Sequence, residues 1–263
     1  MAYNAKILIV DDEIPVCKSI SIALESEIYH VEMALSGEEA LKKDTQSHFD
    51  IIIADLMMPG ISGMDLLKAL KEKRPELSII MITGFPSIKT AVQAIKLGAF
   101  DYLPKPFTPD ELRSLVQRAL ERKHIFEEPK PAVPELLEEK LSVLTMPHGL
   151  YDIPEHSWAK VEPDGNVLIG IHHIFLLTVK KIMSVEFPKV NEYINQGEVC
   201  LRITDSQMFI HKLWAPVSGK VIAINEHIKK APTDIMKNPY GDGWLLRITP
   251  LGLEEDLKNL VAS

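Results

Sequence analysis

Apolar residues in the first half of the chain form short runs, and each run is followed by a stretch with helical spacing. The segments are KILIVD (6–11), YHVEMALS (29–36), FDIIIADLM (49–57), LSIIMITG (77–84) and FDYLPKP (100–106). FDIIIADLM and LSIIMITG are continuous apolar runs, which are typical of buried strands. The intervening stretches predict helices, two of which open with a capping box, Ser36 with Glu39 and Thr108 with Glu111. Five such units predict a parallel α/β sheet covered by helices on both faces.

Polar side chains follow these strands where each one ends, and the carboxyl edge of a parallel sheet is where ligands bind. They are Asp11 and Asp12 after the first strand, Asp55 after the third, Thr83 after the fourth and Lys105 after the fifth. Neighbouring carboxylates repel one another unless a cation lies among them. Hard oxygen ligands with open water positions suit Mg²⁺, and the lysine suits a phosphate oxygen. The set predicts a small phosphoryl-transfer site with a carboxylate as nucleophile.

Residues 4–124 resemble the response-regulator receiver family through ILIVDDE, DIIIADLMMPGISGMDLL, IIMITGFPS and GAFDYLPKPF. The resemblance implies a flavodoxin-like (βα)5 fold with sheet order 2-1-3-4-5. It implies that Asp55 accepts a phosphoryl group from a sensor histidine kinase, and that Lys105, before a cis Pro106, contacts that group. The implied Mg²⁺ ligands are Asp11, Asp12, Asp55 and the backbone carbonyl of Met57.

The same resemblance implies a switch. Thr83 moves toward the new phosphate and the ring of Tyr102 turns inward, which biases the face built from 87–98, the fifth strand and the last helix. That face, α4-β5-α5 in receiver nomenclature, would either form a homodimer or dock onto the rest of the chain. The resemblance implies a phosphoacceptor signalling protein and not an enzyme.

Charge and hydropathy argue against two classes of protein, nucleic-acid-binding proteins and membrane proteins. The formal net charge is −8, with −3 (15 basic, 18 acidic) over 1–125 and −5 (14 basic, 19 acidic) over 126–263. Neither half has the basic excess that nucleic-acid binding needs, so no nucleic-acid partner is expected. No run approaches the ~18 apolar residues of a membrane span, and the N-terminus has no signal-peptide pattern, which predicts a cytoplasmic protein without a membrane partner.

The pattern changes after the receiver-like region (1–124). Residues 125–147 read as a proline-rich linker with a short amphipathic helix over 135–146. From 148 to 263, short alternating segments are separated by turn signals, which predicts a β sandwich or barrel. One helix is expected over 171–181, where His172 and His173 would point about 100° apart and so make a poor metal pair.

The second half resembles the glycine cleavage system H protein, a β barrel-sandwich hybrid of the lipoyl/biotinyl-carrier type. The resemblance rests on HSWAKVEPDG, VEFPKV, GEVC, WAPVSGKVIAINE and NPYGDGWLLRITP. In that family a lysine at a hairpin tip carries lipoate, whereas here Met208 occupies the position and no lysine lies between Lys189 and Lys212. A thioether cannot form the amide that holds lipoate, so no lipoate is expected.

Three functions remain open. The first is a two-component response regulator that signals to an unknown output protein through a non-lipoylated, degenerate H-like domain. The second is a regulated lipoyl carrier modified at Lys212 in redox or one-carbon metabolism. The third is a phosphate sink in which the β domain merely stabilises the chain.

Overall fold

The computed structural model describes residues 5–25, 28–85, 88–127 and 146–263. The chain divides into two compact units, Met1–Phe126 and Glu127–Ser263. Most of the linker and short helix predicted over 125–147 lies outside the described residues.

The first unit is a parallel sheet of order β2-β1-β3-β4-β5, as predicted. Its strands are β1 (Ala5–Val10), β2 (Tyr29–Ala34), β3 (Ile51–Asp55), β4 (Ser78–Thr83) and β5 (Asp101–Pro104). Its helices are α1 (Ile14–Ala23), α2 (Gly37–Gln46), α3 (Gly63–Lys73), α4 (Ile88–Lys96) and α5 (Pro109–Glu127). Every residue of β3 and β4 is buried, which is why their sequences are continuous apolar runs rather than alternating ones.

Local signals in the sequence set the helix boundaries of this unit. The Ser36 hydroxyl accepts a hydrogen bond from the Glu39 amide at 3.2 Å, and the Glu39 carboxylate accepts one from the Leu35 amide. Thr108 and Glu111 exchange the equivalent two bonds at the start of α5. Both predicted capping boxes are therefore confirmed. The fifth strand is shorter than predicted because Pro106, which has no N–H, cannot extend the ladder.

The second unit is antiparallel and rich in short strands. One sheet has seven strands in the order β10-β13-β14-β8-β7-β6-β15, and the other has three in the order β12-β11-β9. The strands are β6 (Tyr151–Ile153), β7 (Ser157–Val161), β8 (Val167–Ile171), β9 (Ile182–Glu186), β10 (Tyr193–Ile194), β11 (Val199–Asp205), β12 (Ile210–Trp214), β13 (Gly219–Ile224), β14 (Leu246–Pro250) and β15 (Val261–Ala262). The helices are α6 (His173–Thr178), α7 (Glu226–Lys230), a 3-10 helix (Pro232–Met236) and α8 (Leu253–Lys258).

The helix predicted over 171–181 is reduced to α6. Ile171 ends strand β8, and His172 is the N-cap of the helix, its ring nitrogen accepting a hydrogen bond from the Ile174 amide at 3.2 Å. The stacked rings of His172 and His173 have centroids 4.5 Å apart, so the expected 100° divergence is wrong. A cap residue has extended backbone and does not follow the helical period.

Candidate functional site

The ends of four strands bring the predicted polar residues to one edge of the first sheet. Val10 pairs with Ala54 in the parallel register of β1 and β3, so Asp11 and Asp55 follow at neighbouring positions. Helix α3 begins close behind this edge. A Cβ on Gly63 would lie 2.1 Å from the carbonyl oxygen of Asp55, so only glycine permits this approach.

Lys105 lies between the two buried carboxylates. Its Nζ is 2.7 Å from Asp11 Oδ2 and 2.7 Å from Asp55 Oδ1. Burial lowers the pKa of Lys105, but its hydrogen bonds to Asp11 and Asp55 outweigh that effect, and the pKa lies above its ordinary value. The ammonium therefore stays charged and offsets the repulsion between the two carboxylates. The Lys105–Pro106 peptide bond is cis, as predicted.

Each carboxylate has its second oxygen fixed by the backbone. Asp55 Oδ2 accepts a hydrogen bond from the Met57 amide at 2.6 Å, and Asp11 Oδ1 accepts one from the Glu13 amide at 2.9 Å. Asp55 Oδ1 is consequently the oxygen of that carboxylate that faces the ammonium.

The predicted metal ligands are brought together only in part. Asp11 and Asp55 share a cation, whereas Asp12 is exposed. Within the described ranges, no three His, Cys, Asp or Glu residues are grouped so as to hold a metal ion. The two carboxylate oxygens turned toward the Lys105 ammonium are a donor pair that fits a hard cation such as Mg²⁺.

The two switch residues lie on neighbouring strands with separate hydroxyl partners. The buried Thr83 hydroxyl accepts a hydrogen bond from the Phe85 amide at 3.1 Å. The Tyr102 ring is buried, and its hydroxyl is 3.1 Å from that of Thr90. The Thr83 hydroxyl and the Tyr102 ring are therefore both buried, and the two hydroxyl groups have separate hydrogen-bond partners.

A rigid hairpin tip joins β11 to β12 in the second unit. The carboxylate of Asp205 accepts hydrogen bonds from the Gln207 amide at 2.8 Å and the Phe209 amide at 3.1 Å, and its other oxygen lies 3.0 Å from His211 Nε2. Asp205 and His211 are each only 1% exposed. The hairpin backbone is thus fixed from below by a buried ionisable pair.

Met208 lies at this tip with φ +66° and is 77% exposed. A left-handed conformation is costly for a residue with a side chain and persists where its surroundings impose it. Lys212, by contrast, lies within β12, paired across the sheet with Arg202. The structure therefore places Met208, and not Lys212, at the end of the hairpin.

The sequence did not predict a polar cluster at the N-terminus of α6. Asp152 Oδ2 lies 3.9 Å from His172 Nε2, and the Tyr240 hydroxyl lies 2.6 Å from His173 Nδ1. Burial raises the pKa of Asp152 to about 6. Burial, followed by the neighbouring His173, lowers the pKa of His172 to about 4. Asp152 Oδ1 is buried and has no hydrogen-bond partner among the described residues.

Each of the two units matches a known protein family. Residues 7–117 match the response regulator receiver domain family, and residues 150–263 match the glycine cleavage H-protein family. Over 113 residues the chain is 41% identical to the probable glycine cleavage system H protein of Pyrococcus abyssi, covering 43% of this chain and 83% of that protein. The chain joins a response regulator receiver domain to a glycine cleavage H-protein domain.

The receiver also has relatives in larger regulators. It is 36% identical over 130 residues to the transcriptional regulatory protein ZraR of Escherichia coli, covering 49% of this chain and 30% of that protein. The chain thus spans less than a third of that relative's length. The receiver domain groups this chain with the two-component response regulators, which are signalling proteins.

Solved structures align with each domain separately. A response regulator receiver domain protein from Clostridium thermocellum is 37% identical over 46% of this chain and 98% of its own, with a TM-score of 0.44. A glycine cleavage system H protein from Mycobacterium marinum is 28% identical over 40% of this chain and 86% of its own, with a TM-score of 0.38. Across the described part of the chain, no helix is both long and apolar enough to cross a membrane.

Proposed function

We propose that Asp55 is the phosphoacceptor of a response regulator and that a sensor histidine kinase is its phosphodonor. The observation that carries the proposal is the Lys105 ammonium, 2.7 Å from Asp55 Oδ1. In the transfer, Asp55 Oδ1 forms a bond to phosphorus while the bond from phosphorus to the donor histidine nitrogen breaks. Lys105 is placed to stabilise charge on the phosphoryl oxygens, which is the main catalytic contribution in such reactions.

The backbone and neighbouring side chains would prepare this oxygen for the reaction. The Met57 amide holds Asp55 Oδ2 and so orients Oδ1, while Asp11 holds the lysine from the other side. Asp11, Asp12, Asp55 and the Met57 carbonyl would hold Mg²⁺, which when bound supplies further positive charge to the phosphoryl oxygens. The Thr83 hydroxyl would leave the Phe85 amide for the new phosphate, which couples the site to Tyr102.

Incubation of the full chain with a small phosphodonor and Mg²⁺ tests the assignment. Intact mass should increase by one phosphoryl group, and Asp55→Asn should abolish that increase. Asp110→Asn, a change of the same chemistry on α5, serves as the control and should label like the unaltered chain. Retained labelling of Asp55→Asn would contradict the assignment.

We further propose that the H-protein domain is a protein-interaction module that carries no lipoate, and that an unknown output protein binds it. Met208 at the exposed tip supports this role because its side chain has no amine. Its flexible thioether suits an apolar partner surface. In this proposal the protein acts in the cytoplasm, and phosphorylation changes the access of partners, or of a second copy of the chain, to its signalling surfaces.

The competing function is a lipoyl carrier modified at Lys212. Co-expression of the chain with a lipoyl ligase, followed by intact-mass measurement, distinguishes the two. We expect an unmodified chain, identical to its Lys212→Arg variant. A lipoyl adduct that disappears in Lys212→Arg would establish the carrier function instead.

A further inference from the structure

The loop between β3 and α3, residues 56–62, connects the strand that ends at Asp55 to the next helix. The Met57 amide at its start donates the hydrogen bond of 2.6 Å that fixes Asp55 Oδ2. The carbonyl of the same residue is one of the groups that would hold Mg²⁺. The position of this loop therefore decides where two backbone groups lie beside the phosphoacceptor.

Backbone hydrogen bonds hold the two ends of this loop. The Leu56 amide donates to the Ile82 carbonyl of β4 at 2.9 Å, and the Gly63 amide donates to the Leu56 carbonyl at 3.0 Å. The middle of the loop, at Pro59 and Gly60, is exposed. Gly60 has φ +75°, a left-handed conformation that glycine adopts without strain. These two bonds therefore fix where the loop begins and ends, and not the course of its exposed middle.

A further contact holds the second half of the loop, and it comes from helix α2. Glu38, in the first turn of that helix, accepts a hydrogen bond from the Ile61 amide through Oε1 at 3.2 Å. The backbones on either side of this bond approach closely. A Cβ on Gly60 would lie 2.8 Å from Glu38 Oε1, and a Cβ on Gly37 would lie 2.8 Å from Ile61 Cβ. Glycine at both positions therefore allows the start of α2 to lie against the loop.

Physical energetics favours positioning over stabilisation as the role of Glu38. The residue is exposed, and a hydrogen bond that water can replace contributes little to the free energy of unfolding. The bond does restrict the loop, because it joins the loop backbone to a helix that begins elsewhere in the chain. Groups that orient metal ligands from outside the ligand shell change metal affinity by about 10- to 100-fold when they are removed. A contact of this kind therefore matters more for metal affinity than for stability.

We propose that Glu38 is a positioning residue, which through the Ile61 amide holds the β3–α3 loop so that the Met57 carbonyl is placed for Mg²⁺. Gly37 leaves the room that this contact needs. The inference rests on the proposed phosphoacceptor function of Asp55. Glu38 itself is not a metal ligand and takes no part in phosphoryl transfer.

The test is a Mg²⁺ titration of the full chain, followed by the backbone amide shifts of Asp55, Met57 and Lys105. In Glu38→Ala the Ile61 amide loses its acceptor, and the Kd for Mg²⁺ should rise about tenfold. Phosphorylation by a small phosphodonor should be slower at limiting Mg²⁺ and return to nearly the unaltered rate at saturating Mg²⁺. A merely structural role would lower the free energy of unfolding without this dependence on Mg²⁺.

Three further variants separate positioning from general effects on α2. Glu38→Gln loses the charge but keeps an oxygen that accepts the Ile61 amide, and should retain most of the Mg²⁺ affinity. Gly37→Ala adds the Cβ that meets Ile61, so the Kd should rise although alanine favours a helix more than glycine does. Glu39→Ala is the matched control. It removes the carboxylate that accepts the Leu35 amide at 2.9 Å at the same helix start, and should leave the Kd unchanged.

An unchanged Kd in Glu38→Ala would overturn the positioning role and leave the phosphoacceptor assignment intact. An equal rise in Glu39→Ala would also overturn it, because weakening of the helix start would then explain the effect. An equal rise in Glu38→Gln would do the same by tracing the effect to the lost charge. The absence of any Mg²⁺-dependent shift at Asp55 and Met57 in the unaltered chain would instead contradict the proposed Mg²⁺ site, and the positioning role with it.

Discussion

The edge of the receiver sheet and the hairpin tip of the H-protein domain both depend on a buried carboxylate with a cationic or ionisable partner. At the receiver edge, Asp55 is paired with the ammonium of Lys105. At the hairpin tip, Asp205 is paired with His211. The two sites differ in the side chain beside the carboxylate. At the receiver edge one oxygen of the buried Asp55 faces the Lys105 ammonium, whereas the hairpin tip exposes the thioether of Met208.

This difference shows that similar electrostatics can support two kinds of task. In the receiver, one oxygen of Asp55 is held by a backbone amide and the other faces Lys105, so the pair orients the oxygen to which we assign phosphoryl transfer. In the hairpin, the oxygens of Asp205 are taken up by two backbone amides and by His211, so the pair fixes the backbone. The hairpin backbone therefore exposes the side chain of Met208, which has no amine.

The substitution Met208→Lys tests this contrast with an all-or-none result. If only the side chain prevents modification, lipoyl ligase should attach one lipoyl group to the variant and none to the unaltered chain. Intact mass after co-expression measures both. The matched control is Gln207→Lys, which places the amine one residue earlier and should label less than Met208→Lys. An unlabelled Met208→Lys would show that the tip itself is no longer recognised as a carrier site.

Removal of the Asp205 carboxylate should destabilise the H-protein domain by about 3 kcal/mol, because two amides and a buried histidine lose their acceptor. All three tryptophans, Trp158, Trp214 and Trp244, lie in the second unit. Tryptophan fluorescence during urea unfolding of Asp205→Ala therefore reports this unit alone. Asp164→Ala, which removes an exposed turn carboxylate of the same unit, should lower the free energy of unfolding by much less. Equal losses would mean that the buried pair does not hold the tip.

In the receiver, loss of Lys105 should affect the reaction more than the fold. Lys105→Met removes the cation that faces Asp55 Oδ1, and the loss of one such preorganised group lowers rates by about 100-fold. Initial rates of phosphorylation by a small phosphodonor with Mg²⁺ measure the effect, with the exposed Lys73→Met as control. An unchanged rate in Lys105→Met would place the cationic assistance elsewhere.

The sequence was sufficient for features that depend on local pattern. The alternation of short strand-like segments with helical stretches predicted all five receiver strands, and Ser36 and Thr108 marked the starts of two helices. Strands β6, β10 and β15 were not predicted, because two or three residues are too few to show alternation. For the candidate site, the order of polar residues after strands was enough to bring Asp11, Asp55 and Lys105 together.

Contacts between distant segments could not be predicted in the same way. Asp12 is exposed although it is adjacent to the buried Asp11, and this difference depends on the loop that follows β1. The Asp152–His172 pair joins a residue of β6 to the N-cap of α6 and has no recognisable spacing in the sequence. The pair of Asp101 with Arg118 likewise depends on how α5 packs beside β5.

The stability of the second unit should depend on pH through Asp152 and His172. The pKa of Asp152 is raised from 3.8 to about 6, so its stabilisation is complete below pH 3.8 and is lost as pH rises through 6. The pKa of His172 is lowered from 6.5 to about 4, so its stabilisation is complete above pH 6.5 and is lost as pH falls through 4. The two changes oppose each other in the unaltered chain. Relative to it, His172→Asn, which keeps a capping side chain, should gain about 3 kcal/mol on acidification from pH 7 to 4, and Asp152→Asn should lose about 2 kcal/mol. Urea unfolding followed by tryptophan fluorescence across this range measures both, with the double variant as the control that cancels them. Parallel pH profiles of the two single variants would show that the buried pair does not titrate as these pKa values require.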